Sequence, residues 1–246
     1  MSQFTTGIRT HARQFLRKPQ NLGFLVVIPP VATVMYGRAV KRVSSLTVAY
    51  ASANLGAVGR LTGALWATAF LVGIIGLFQV ISARRGDERL VLCGFSRSML
   101  LATRCMVVFG VAVLVAVISG VVLWVTVPVS APLVAVGVLL LGGMIYGLIG
   151  MLVGALLPRE LEGALVIALI VDIDDMVSSG LFFDPTSTVV TQLFPLYRPQ
   201  TLLVAAVTDG TIPIDHALGA VVYVLVLAAL TFGVYGQLID GEGGDT

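Results

Sequence analysis

Six long apolar runs, near 22–37, 61–82, 105–127, 132–157, 163–183 and 217–238, dominate this chain and leave few folds open to it. A bilayer core of about 30 Å takes about 20 helical residues to cross. With 57% hydrophobic residues and a mean hydropathy of +1.00 over 246 residues, the chain carries more apolar side chain than a soluble domain can bury, so its expected solvent is lipid. An outer-membrane barrel would alternate polar and apolar residues, whereas most of these runs are apolar on both faces. The expected fold is an all-α integral membrane protein, one transmembrane domain with six transmembrane helices.

The runs are not equivalent. The first is short and holds Pro29-Pro30, so it is expected to kink or to extend into its flanks. Before it, Phe4, Ile8, Phe15 and Leu16 lie among arginines at helical spacing, which predicts an amphipathic interfacial helix within residues 1–20. No small-residue cleavage site follows a short apolar core there, so no cleavable signal peptide is expected. Between the last two runs, Pro185, Pro195, Pro199 and Pro213 punctuate semi-apolar pieces too short to span. Re-entrant or interfacial helices are expected there, because Leu193, Phe194, Leu196 and Tyr197 would otherwise face water. The end of the chain, 239–246, reads as an acidic tail.

Loop charge orients the chain. With both termini cytoplasmic, ten Lys and Arg residues fall inside and five outside, and the cluster Arg38, Lys41, Arg42 is the largest outer group. A plasma-membrane location follows as the expectation.

Catalytic chemistry is hard to find. There is no G-x-x-x-x-G-K-[ST] phosphate loop, no H-E-x-x-H, and no His beside a carboxylate in catalytic spacing, since His11 and His216 fall at opposite ends of the topology. Ser178-Ser179 lacks a His base and reads as a helix end. Cys93 and Cys105 lack metal-ligand spacing and are expected as free thiols. A net charge of +2 shows no nucleic-acid footprint. The chain is not expected to be an enzyme, nor to hold a cofactor or metal of its own.

Asp172, Asp174 and Asp175 are the unusual residues of the fifth run. An aspartate at the centre of a span costs about 2.5–3.5 kcal/mol, so three of them should prevent this run from inserting unaided. Neighbouring helices, water or protonation must satisfy them. Asp172 and Asp175 are expected to share a helix face, with Asp174 pointing elsewhere. Two readings stay open: a polar lining of a translocation path or ion site, or a helix that unwinds near Asp174 and leaves the acids among outer headgroups. In the fourth run, Gly143-x3-Gly147 and Gly150-x3-Gly154 are small-residue pairs that permit close helix approach, within the chain or across a dimer seam.

Residues 83–104, ARRGDERLVLCGFSRSMLLATR, concentrate charge between two spans and form a natural cytoplasmic docking surface. Arg84-Arg85-Gly86-Asp87-Glu88-Arg89-Leu90, continuing to Ser96-Arg97, resembles the "(E/R)-x-G-T-x-E-x-L-…-P-x-S-R" region after the second span of type-2 ABC exporter permeases. Ser179-Gly180, Phe182-Phe183 and Pro185 resemble that family's "L-S-G-x-x-F-P" end of the fifth span, and the proline-bearing first span and proline-rich section before the last span fit its pattern. Gly94-Phe95 stand where the family has proline before Ser-Arg, and the aspartate trio has no counterpart among its hallmarks.

The resemblance implies a coupling helix in 83–104 that docks on a separate ATP-binding cassette ATPase subunit, with Glu88 and Arg89 at the contact and Arg84, Arg85 and Arg97 beside it. It also implies a dimeric permease, built from a second copy or a homologue, and ATP sites on partner chains. The leading expectation is thus an exporter permease. An ion-coupled secondary transporter using Asp172 and Asp175 is the alternative, and a non-transporting membrane scaffold is the third.

Overall fold

The computed structural model describes residues 19–42, 54–82, 86, 97–180 and 190–241. Among these residues the long elements are all helices: α1 (Pro19–Arg42), α2 (Leu55–Ile81), α3 (Arg97–Thr126), α4 (Pro132–Leu156), α5 (Glu160–Ser178), α6 (Tyr197–Thr208) and α7 (Ile214–Gly241). Five of them, α1, α2, α3, α4 and α7, contain stretches long and apolar enough to cross a bilayer, which makes this a multi-pass membrane protein.

Several helices outrun the apolar runs that announce them. Arg38, Lys41 and Arg42 belong to the last turns of α1 rather than to a loop, and Arg60 lies inside α2. Residues 97–104 continue into α3, so the charged connection is shorter than 83–104. Apolarity marks the part of a helix that meets lipid, while the hydrogen-bonded ladder runs on into the headgroup layer. In α1 the helix passes through Pro29-Pro30 unbroken, and the Thr33 hydroxyl donates to the Pro29 carbonyl at 2.7 Å. α5 stays helical through all three aspartates and stops at Ser178, five residues short of its run, where Gly180 adopts a left-handed φ of 67°. α7 extends to Gly241, past the start of the acidic tail. The interfacial segment before Pro19, residues 83–85, 87–96 and 181–189, and the end of the tail lie outside the described residues.

α2 is the axis of the bundle. It packs most extensively on α4 and α1, and Leu61, Leu65, Val72 and Leu77 are buried within it. Lipid offers no hydrophobic drive for helix association, so close approach must supply dispersion instead. Gly73 and Gly76 of α2 lie against Gly147, Gly150 and Gly154 of α4. A methyl group at Gly76 or Gly150 would run into the opposing backbone carbonyl. A second close crossing uses Gly59 and Gly63 of α2 against the Ala32 and Tyr36 carbonyls of α1. The α4 glycine pairs therefore serve packing within the chain.

Two arginines tie antiparallel helices end to end. Arg60 of α2 donates to the Thr126 carbonyl that ends α3. The buried Arg104 of α3 donates to the Gln79 carbonyl in the last turn of α2. Each guanidinium thus meets a helix C-terminus, where the orphan carbonyls and the negative end of the dipole both favour a cation.

α6 dips into the bundle. At one end, Ser130 and Ala131, in the α3–α4 connection, donate to the Val207 and Ala206 carbonyls. Further in, Gln200 donates to the Thr62 hydroxyl at 3.0 Å, and Pro199 faces Gly142 of α4. At its start, the Leu196 amide meets Asp174, which is bonded in turn to Tyr146 of α4. Tyr146 lies 14 residues beyond Pro132, about 21 Å along the axis at about 1.5 Å per residue. α6 therefore runs from the depth of Tyr146 out to the α3–α4 end, half the length of the bundle.

Candidate functional site

α5 presents two faces. Leu161, Leu165, Leu169, Ile173 and Met176 form an exposed apolar stripe, while Gly163, Ile167, Val171, Asp174 and Ser178 turn inward. An outward apolar stripe of this size calls for an apolar medium or a partner to cover it. Asp174 and Asp175 are 1% and 6% exposed, and Asp172 is exposed. Asp172 and Asp175 share a face, as expected: both turn toward the touching Tyr36–Trp66 pair, while Asp174 turns to Tyr146. Exposure divides them differently. The buried pair is 174 and 175, and Asp172 lies at the outer edge.

Each carboxylate meets an aromatic side chain from a different helix. Trp66 of α2 donates its indole N–H to Asp172 at 2.7 Å. Tyr146 of α4 donates to Asp174 at 2.5 Å. The Tyr36 side chain of α1 lies against Asp175. Tyrosine and tryptophan suit such contacts, because an apolar ring fits the bundle while a single polar tip reaches the acid. Phe70 stacks on Trp66 with centroids 5.1 Å apart, and Tyr36 leans against Trp66 at 5.8 Å, so Tyr36, Trp66 and Phe70 form a continuous aromatic wall.

Asp174 is the hub. Besides Tyr146 it accepts from the Ser178 hydroxyl at 2.7 Å and from the Leu196 amide at 3.0 Å. Charge-assisted bonds of this kind offset part of the large cost of removing a carboxylate from water. Its place against the start of α6 adds the favourable end of a helix dipole. Asp174 thereby joins α4, α5 and the entry to α6. Ser178, which reads in the sequence as a helix-end residue, is one of its partners.

These acids sit at mid-depth. Trp66 is two residues from the middle of α2, about 3 Å along the axis, and it touches Asp172. The three aspartates expected to act together are therefore brought together, but into three distinct settings: one fully bonded, one buried against tyrosine, one open. Sequence reasoning does not single out Tyr36, Trp66, Tyr146 or Gln200. The available signal is a polar-tipped aromatic near the centre of an apolar run, which needs a partner once buried. Of the expected docking residues, Arg97 begins α3, while Arg84, Arg85, Glu88 and Arg89 lie outside the described residues. Cys105 is a free thiol whose sulfur lies 3.9 Å from that of Met151. Cys93 lies outside the described residues.

No family model matches the chain, and no curated protein matches it.

Proposed function

We propose that this chain is the membrane-spanning permease subunit of an ATP-binding cassette exporter, with α5 as a sixth span and α6 as a re-entrant half-helix. Both termini face the cytoplasm of a cell whose plasma membrane it occupies. It works as one half of a dimeric permease and hydrolyses no ATP itself. A separate ATPase subunit docks on the 83–97 connection, with Glu88 and Arg89 at the contact and Arg84, Arg85 and Arg97 around it.

One observation carries the reading furthest. The charged connection joins α2 to α3, and its two flanks are locked to each other by Arg104 on the Gln79 carbonyl. A push on that connection reaches α2, the helix on which α1 and α4 pack. From α2 it reaches Trp66 and so Asp172. Nucleotide-driven motion at one end of the bundle can then bias two arrangements of α5 and α6 near its centre. The mid-depth acids suit a lining of the translocation path, because intramembrane carboxylates are retained where they face partners, water or cargo.

Affinity purification tests the docking assignment. An ATP-binding subunit should copurify with the chain from mild detergent, and Glu88→Ala or Arg89→Ala should reduce its yield several-fold while leaving membrane insertion intact. Unchanged copurification in both variants would remove the assignment.

The secondary-transporter alternative draws on Asp172 and Asp175, the one exposed and the other buried beside Asp174. It requires gradient-driven transport by the chain alone in proteoliposomes, abolished by Asp175→Asn.

A further inference from the structure

We propose that Asp172 and the Tyr36–Trp66–Phe70 wall form a binding site for a lipophilic organic cation, an amine or quaternary ammonium group on an apolar body. The inference rests on the permease reading only in naming a class of cargo for it.

Asp172 is exposed at mid-depth, where the neighbouring outward residues of the helix, Leu169 and Ile173, are apolar. Its one hydrogen bond among the described residues is to the Trp66 indole. Asp174, by contrast, accepts from three donors and is closed to anything further. An exposed carboxylate at that depth is satisfied by a countercharge, by water or by protonation, and lipid tails supply neither of the first two. Among the described residues no arginine or lysine forms an ion pair with Asp172. Arg60 of α2 and Arg104 of α3 are each turned onto a helix carbonyl.

The ring wall selects among cations. Tyr36, Trp66 and Phe70 are each half-buried, and Trp66, the ring bonded to the carboxylate, is in contact with both of the others. Aromatic faces attract alkylammonium groups through their quadrupole, most of all where water is scarce. A calcium or magnesium ion would demand six or more oxygen ligands, and one accessible carboxylate backed by rings does not supply them. The apolar surroundings favour a ligand that arrives from the bilayer with its own hydrophobic body.

The test uses the full chain in phosphatidylcholine nanodiscs. The chain has two tryptophans, so Trp124→Phe leaves Trp66 as the sole indole reporter. Tetraphenylphosphonium is the probe, and tetraphenylborate, of nearly the same size but opposite charge, is the control. Tetraphenylphosphonium should quench Trp66 saturably, Asp172→Asn should weaken binding about tenfold or more, and Asp172→Glu should bind as the parent. Equal quenching by tetraphenylborate, or unchanged binding in Asp172→Asn, would reduce the signal to partition into lipid and overturn the site. Should Asp172→Asn not fold, Phe70→Leu decides, with binding several-fold weaker supporting the site and unchanged binding overturning it. No ATPase enters this assay. Its failure therefore leaves the permease reading standing, and a failed ATPase copurification leaves the cation site standing.

Discussion

The α2–α4 seam and the α5–α6 clasp hold the same bundle together by opposite means. The seam is dry, built from Gly73, Gly76, Gly147, Gly150 and Gly154, and stabilised by the closeness of two backbones. The clasp is polar, built from Asp174 with Tyr146, Ser178 and the Leu196 amide. Glycine contacts fall away steeply with separation, so a seam of this kind has one arrangement. Hydrogen bonds can be exchanged for others, or for water, with smaller net change. Under the permease reading proposed above, the seam is suited to be the fixed body and the clasp the part that rearranges.

The most severe way to break the comparison is at the seam. Gly150→Leu places a branched side chain where the Gly73 carbonyl stands. It should abolish a monodisperse folded species in size-exclusion chromatography, since the backbone has nowhere to give and overpacking even in adaptable cores costs about 1–3 kcal/mol or more. A variant that elutes and melts like the parent would show that the seam is looser than these contacts require.

Breaking the clasp should cost less and stay measurable. Asp174→Ala leaves three donors without their acceptor, and each stranded buried donor costs about 1–3 kcal/mol, partly recovered by removing the buried charge. The expected outcome is a folded but clearly destabilised protein, with proteolysis appearing in the 190–213 region before the rest. Sensitivity spread evenly over the chain would argue that Asp174 does not pin α6.

The smallest effect belongs to Asp172. It is exposed and makes one hydrogen bond, so Asp172→Asn should shift thermal stability in detergent by less than about 1 kcal/mol. A loss as large as that of Asp174→Ala would erase the distinction between the two acids.

The two regions also differ in how far the sequence reveals them. The apolar runs of α2, α3, α4 and α7 stand out because lipid-facing surface needs little but hydrophobicity, and the α4 glycine pairs announce close packing. The helix ends do not stand out, since Arg60 and Arg104 look like loop charges until the C-terminus each one meets is known. The aspartates declare that α5 needs partners. They do not say which, because the rotation of α1, α2 and α4 decides that Tyr36, Trp66 and Tyr146 turn toward them. The match of Gln200 with Thr62 depends on how deep α6 inserts, a depth set by the whole bundle rather than by local pattern.

Spin-label distances in the complex with the proposed ATPase subunit test the division of labour most directly. Cys93→Ser and Cys105→Ala free the background of native thiols. Phe78 of α2, Leu133 at the start of α4 and Leu193 before α6 are all exposed and can carry labels. Between nucleotide-free and vanadate-trapped states, the Phe78–Leu133 distance, which spans the seam, should not change, while the Phe78–Leu193 distance, which reports the clasp, should shift. A shift across the seam with the clasp unmoved, or no change in either, would contradict the account.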